Sequence, residues 1–248
     1  MDVSLYQAAA AMNATERWQE MISDNLAAGS VPGARKSEIS FSAIQAGLAS
    51  GAAGLRGPGY VIPTATTATN FQQGELRSSG NPMDFALEGP GFFTVQMPNG
   101  QTAYTRDGEF QLNSQDQLVT KQGYLVLGTA GPIQFDPNSS AAVTISATGD
   151  VSQGADKKGT LQLTDFNNPS LLTPLGGSLF SADSPALQKT VAATTHVRQG
   201  FLEGANGSPT SQMGSLITAM RMFEANQKVL QMQSDRMSRE ITDLGNPT

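Results

Sequence analysis

The period of hydrophobic and polar positions changes twice along the chain. The first 27 residues hold no Gly or Pro, and Leu5, Ala8, Met12, Thr15, Gln19, Ile22 and Leu26 recur at alternating spacings of three and four. That spacing predicts an amphipathic helix with a heptad seam, weakened where Thr15 and Gln19 interrupt it. Gly29, Pro32 and Gly33 follow as helix-stop chemistry. At the other end, Gln212 to Leu244 contains a single Gly and no Pro. There Met213, Leu216, Met220, Phe223, Gln227, Leu230, Ser234, Met237, Ile241 and Leu244 hold the three-four spacing over more than four heptads. Ser208 and Pro209 stand at its start, Gly245 and Pro247 close it, and Glu224 precedes Lys228 in the orientation that supports a helix.

Between the helices the period falls to two. Phe93, Val95 and Met97 alternate with Thr94 and Gln96, and Pro98-Asn99-Gly100 then supplies a strong hairpin signal before Thr102 to Arg106 returns. Phe110 to Leu112 and Gln117 to Thr120 form a second pair across the polar stretch Asn113 to Asp116. Tyr124 to Leu127, Val143 to Ser146, Thr160 to Thr164 and Thr190 to Val197 read as further short strands. Residues 34–76 are rich in Ala, Ser, Thr and Gly, and the Gly51–Gly59 run is the densest glycine stretch, so this segment reads as extended or irregular chain. The expected fold class is α+β. An N-terminal helix (1–34), an extended linker (35–75), a central antiparallel, barrel-like β domain (76–200) and a C-terminal helix (201–248) follow in order, with the two helices pairing as a coiled coil.

Composition sharpens this picture. Of the 248 residues, 38% are hydrophobic and 15% charged, both low for a globular domain. Small and amide residues fill the difference, which suits a turn-rich or elongated protein better than a compact metabolic enzyme. The net charge of −6 and the scatter of the 15 basic residues disfavour nucleic-acid binding, which needs a basic stripe. Without cysteine there are no disulfides, thiolate metal sites or Cys nucleophiles. No stretch reaches the length of a transmembrane helix. The Ala-rich segment Val3 to Ala11 lacks a basic n-region, so export, if it occurs, is expected without a cleaved signal.

Chemistry-bearing motifs are sparse. His196 is the only histidine and reads as an ordinary strand residue, with nothing at metal-ligand spacing beside it. No GxSxG occurs, and Gly89-Pro90-Gly91 leads into Phe92-Phe93 rather than into a phosphate-binding helix. Asp84, Glu88, Asp107 and Glu109 read as solvated turn or hairpin-edge carboxylates rather than an acid/base pair. No catalytic, cofactor-binding or metal-binding residue is expected, and neither a cofactor nor a small-molecule substrate. The terminal seams carry the information that remains. Fully burying a Leu, Met or Phe contributes roughly 1.5–3 kcal/mol, so the eight apolar side chains of the C-terminal seam represent on the order of 10–20 kcal/mol before entropy. The shorter N-terminal seam covers only part of that surface, and the rest is expected to face other subunits. Leu5, Met12, Ile22, Asn25, Leu26, Met213, Leu216, Met220, Phe223, Leu230, Met237, Ile241 and Leu244 are the candidate helix-packing and assembly residues.

Three regions resemble the bacterial flagellar rod and hook-basal body protein family. Asp24-Asn25-Leu26-Ala27 with Gly33 is similar to the signature that ends the family's N-terminal helix. Gln73-Gly74-Glu75-Leu76, Gly80 to Leu87, Gly89 to Phe93, Tyr104 to Gly108, Leu118 to Thr120 and Gly123-Tyr124 run in the family's order and form the most specific block. Val197 to Asn206, with Met213, Leu216, Ile217, Arg221, Phe223, Glu224, Lys228 and Asp235 to Met237, resembles the C-terminal signature. Ala28, Val31 and Ala34 stand where the family has Asn, Thr and an aromatic residue. Length and the Arg-x-Phe-Glu stretch fit the proximal-rod branch best, with the distal-rod branch close behind.

The resemblance implies a non-enzymatic subunit of the periplasm-spanning flagellar rod. It would pass through the flagellar type III export apparatus, stack helically on copies of itself and on other rod and hook proteins, and transmit torque from motor to hook. Two readings of other classes stand beside it. A cell-wall or polysaccharide-active β enzyme would place a Glu/Asp pair in a groove, and a phage-tail or adhesin fibre would carry its heptads in mid-chain.

Overall fold

A computed structural model describes residues 3–46, 60–139 and 141–245. The Gly51–Gly59 run lies outside them. The chain is α+β: a helix at each end and, between them, a β middle of short strands joined by turns.

The chain falls into two units. The first gathers the helices α1 (Val3–Ala28), as far as Leu26, and α2 (Pro209–Gly245) with the strands β1 (Ser37–Ala46) and β2 (Tyr60–Thr69), as far as Ala68; the two strands pair in a two-stranded sheet. The segment read as extended or irregular chain thus carries two ten-residue strands. Small β-branched residues such as Thr64 and Thr66 serve them, and both hydroxyls bond across the pair, to Ser42 and to the Ser40 carbonyl. Asn25 fixes where β1 begins. Its amide donates to the Ser37 carbonyl at 2.8 Å and accepts from the Ser37 N–H at 2.7 Å.

The second unit spans residues 27–36 and 69–208. Its strands are β3 (Leu76–Ser78), β4 (Phe85–Glu88), β5 (Phe92–Gln96), β6 (Thr102–Thr105), β7 (Phe110–Leu112), β8 (Leu118–Thr120), β9 (Leu125–Gly128), β10 (Gly131–Pro132), β11 (Val143–Ile145), β12 (Asp150–Gln153), β13 (Asp156–Thr160), β14 (Leu163–Phe166), β15 (Thr173–Gly176), β16 (Leu179–Ser181), β17 (Lys189–Val191), β18 (His196–Gln199) and β19 (Phe201–Glu203). The main sheet runs β15-β16-β6-β5-β9-β8-β7, with β10 on β9, β14 on β5 and β17 on β14. A three-stranded sheet of β11, β12 and β13 and the pairs β18-β4 and β19-β3 complete the unit.

The expected barrel does not form: among the described residues no sheet closes on itself. β5 is the cause. Its first half, Phe92 and Phe93, pairs with β14, while its second half, Val95 and Gln96, pairs with β9. The sheet forks there instead of curling round. One end of the path is β15, exposed throughout and carrying Pro174, a residue that suits an edge because it has no N–H to offer.

β5 also divides the core. Phe93 and Val95 point into one cluster with Phe85, Leu87, Phe110, Leu118 and Val126. Phe92, on the opposite face of the strand, packs with Tyr104, Phe166 and Phe180 in a second cluster. Both faces are therefore apolar, which explains the unbroken burial of Phe92 to Val95. Thr94, the polar member, is satisfied by the Thr164 hydroxyl at 3.0 Å.

Two sequence expectations divide in two. Thr160 to Thr164, read as one strand, covers the last residue of β13 on the three-stranded sheet and the start of β14 on the main sheet. Thr190 to Val197, read as one strand, is β17 on the main sheet and β18 on β4, with a turn at Ala192 to Thr195 closed by the Thr195 N–H on the Ala192 carbonyl. The chain changes sheets at this point, and the alternation of side chains alone does not record such a change.

Candidate functional site

The helices of the first unit hold most of the candidate assembly residues. On α1, Ile22 is wholly buried and Asn25 nearly so, while Met12 and Leu26 are half-buried. On α2, Leu216, Phe223 and Leu230 are half-buried, whereas Met213, Met220 and Met237 are exposed. The side chains of Leu5, Ile241 and Leu244 lie outside the described residues.

The inward stripe of α2 is Leu216, Ala219, Phe223, Asn226 and Leu230, and Ala219 is wholly buried. It shares every second position with the stripe expected from the sequence. The alternate positions sit one residue back, at Ala219 and Asn226 instead of Met220 and Gln227. Counting hydrophobic bulk favours Met220; close packing favours the small Ala219. Thr15, which weakened the N-terminal seam, is a hydrogen-bonding position. Its hydroxyl donates to the Ala11 carbonyl at 2.7 Å and accepts from the Asn226 amide at 3.2 Å, joining the two helices at that point.

The second unit contains a buried charge cluster that sequence reasoning did not anticipate. Glu203, at the end of β19, is fully buried. Its Oε1 accepts from Arg35 Nη1 at 2.6 Å and from the Gly74 N–H at 2.8 Å, and its Oε2 accepts from Arg106 Nη1 at 3.2 Å. Its main-chain carbonyl accepts from the Gly33 N–H at 2.7 Å. Arg106 also donates to the Gly89 carbonyl at 2.7 Å and lies 5.3 Å from the centre of the Phe92 ring. Burial draws the Arg106 pKa down to about 10; Glu203 opposes this and Arg35 adds to it. The guanidinium still carries its charge at neutral pH, so one carboxylate faces two cations.

Three residues further on, Asn206 completes the closure. Its Oδ1 accepts from the Lys36 N–H at 2.7 Å, and its Nδ2 donates to the carbonyls of Asn70 and Gln72 at 2.8 and 3.0 Å. Glu203 and Asn206 thus hold three chain segments together: residues 33–36 after α1, residues 70–74, and residues 203–206 before α2. Gly33 fits because it has φ +67°, and a Cβ there would run into the Arg106-Asp107 backbone. Glu203, Arg106 and Asn206 belong to the stretches that carry the family resemblance. Arg35, by contrast, lies 168 residues from its partner in a stretch without local pattern.

The carboxylates read as solvated divide. Glu88 and Glu109 are partly open and pair with Arg198 and Lys121, but Asp84 and Asp107 are buried. Each buried one closes a local turn: Asp84 takes the Asn81 amide and Asp107 the Glu109 N–H. Burial is the chief cause that lifts the Asp107 pKa from 3.8 to about 6. Its folded pKa lies above its unfolded value, so folding favours the protonated acid. The resulting stabilisation is present below about pH 4 and is lost as pH rises to about 6. Asp107→Asn keeps the acceptor without the charge. At pH 7 it is expected to stabilise the second unit by up to roughly 3 kcal/mol, with no difference from wild type near pH 3.5. Thermal melts of both proteins across that range check this; equal melting temperatures at pH 7 would remove the buried-charge explanation.

His196 lies exposed on β18 opposite Glu88. Among the described residues no three His, Asp or Glu side chains gather in a way that could hold a metal ion.

Comparison with known proteins matches two family models. Residues 86–153 match the flagellar hook protein FlgE/F/G D1 domain, and residues 198–244 match the C-terminal region of the flagellar basal body rod FlgEFG proteins. Arg106 falls in the first region and Glu203 and Asn206 in the second. Flagellar basal-body rod protein FlgG of Borreliella burgdorferi is 32% identical, covering 94% of this chain and 95% of the relative. FlgF of Mesorhizobium japonicum is 30% identical, covering 99% of both, and FlgF of Caulobacter vibrioides is 31% identical with the same coverage.

Proposed function

Since this chain belongs to the flagellar basal-body rod protein family, a family of structural proteins and not enzymes, we propose that it is a rod subunit of the FlgF branch, self-assembling helically in the basal body to transmit torque from motor to hook. The end-to-end likeness carries this reading. The FlgF alignments run 247 residues for a chain of 248, whereas those to the FlgG relatives of similar coverage run 256 to 268. The FlgF relatives therefore need few gaps. Partners are further copies of this chain, other rod and hook proteins, and the flagellar export apparatus, which passes the subunit without signal cleavage.

The assembly residues divide by exposure. Ile22, Asn25, Leu216, Phe223 and Leu230 serve the subunit's own packing, with Met12 and Leu26 at its margin. Met213, Met220 and Met237 face neighbours, because a monomer gains nothing by leaving such side chains in water. Heterologous contacts of this kind build an open helical stack, as a rod requires.

Met220→Asp tests the reading. Met220 is 54% exposed, so the purified variant is expected to keep its circular dichroism and melting temperature. In the cell it should abolish rods and swimming, because an unpaired charge buried in an interface costs several kcal/mol. Motile cells with intact basal bodies would overturn the structural role of this face.

A further inference from the structure

The outer faces of α1 and α2 carry charges that the chain itself does not pair. Arg17, Glu20 and Asp24 on α1 are exposed, as are Arg221, Glu224 and Lys228 on α2, and none of the six makes an ion pair among the described residues. Both sets are spaced three and then four residues apart, so each set lies along one helix face. Their signs run plus, minus, minus on α1 and plus, minus, plus on α2. The α1 set borders a cavity of about 310 Å³ within the first unit, where Met21 and Ala65 supply apolar lining and Thr67 a polar edge. On α2, Met213, Ile217 and Met220 follow one another at spacings of four and three beside Arg221, all three more than half exposed.

We infer that the cavity beside α1 receives the outer face of α2 from a second copy of this chain, running antiparallel. One register brings Met220 onto Met21 and pairs two of the opposite charges at once, with Asp24 left beside Ile217. With Met220 set over Met21, Arg221 falls opposite Glu20 and Glu224 opposite Arg17. Ile217 then lies level with Asp24, and Lys228 comes within one turn of Glu16. Charge complementarity selects the direction as well. A parallel arrangement that pairs Arg17 with Glu224 leaves Arg221 beside the uncharged Ala14, and Met220 loses Met21. The charges set partner and register, and the Met and Ile side chains supply the burial. The inference rests on the rod-subunit reading and specifies the contact that this reading leaves open.

The Cys-free sequence makes the test direct. Two single-cysteine versions, Glu20→Cys and Arg221→Cys, are co-expressed in cells lacking the wild-type gene, and isolated basal bodies are oxidised. A crosslinked dimer of this chain is expected only when both versions are present. In parallel, Arg221→Glu and Glu20→Arg should each reduce swimming, and the double variant should restore it, since all three leave the subunit's own packing untouched. Absence of the mixed dimer from assembled rods, or no rescue in the double variant, overturns the inference. A crosslink from Arg221→Cys to a different protein overturns it as well, by assigning the face to another partner. If Met220→Asp still abolishes rods and swimming in those cases, the rod-subunit reading stands and only this contact fails.

Discussion

Glu203→Ala is expected to destabilise the second unit by about 3–5 kcal/mol, the usual cost of removing one partner from a buried ion pair. The reason lies in what remains. Arg35 and Arg106 have side chains that are 1% and 5% exposed, and the variant leaves two guanidiniums facing each other without their carboxylate. The Gly74 N–H loses its acceptor in the same step. Against a typical total of about 5–15 kcal/mol, the loss removes a large part of the stability. The triple variant Glu203→Leu, Arg35→Met, Arg106→Met should recover much of it, because replacing a whole buried ionic group by apolar side chains is often neutral. Urea unfolding of the full chain measures both. A loss under 1 kcal/mol for Glu203→Ala would show that the cluster does not hold the three segments together.

Gly33→Ala should be nearly as damaging, by a backbone route. At φ +67° an L residue costs about 1–2 kcal/mol. The added Cβ would also strike the main chain of Arg106 and Asp107, which cannot turn aside as a side chain can. Displacing residue 33 weakens its N–H bond to the Glu203 carbonyl, a further loss of about 1 kcal/mol. Together these give roughly 3 kcal/mol, and at about 2–4 °C per kcal/mol for a chain of this size the melting temperature should fall by around 10 °C. Gly100 is the control. It has φ +82° with open space about it, so Gly100→Asn, which tolerates that conformation, should melt close to wild type. If Gly33→Asn melts like Gly100→Asn, the close approach at residue 33 is not limiting.

What the sequence made legible was local. Both terminal helices follow from runs without Gly or Pro that hold a three-four spacing, and α1 and α2 end within a few residues of their glycine and proline signals. The β5-β6 and β7-β8 hairpins follow from alternation broken by turn residues, with Gly100 at the positive φ its turn needs. These features depend on neighbours a few positions apart, and the chain order records them.

Tertiary structure decided the rest. Which positions of the α2 stripe turn inward depends on how closely a neighbouring surface can approach, so Ala219 is buried and Met220 is not. The forking of the main sheet depends on β9 and β14 meeting the two halves of β5, and no residue of β5 announces that division. Most of all, Glu203 looks like a solvent-facing acid at the end of a strand. It becomes the hub of the buried charge cluster because Arg35 and Arg106 reach it across 168 and 97 residues, and the pairing of buried charges is a property of the space they share rather than of their order along the chain.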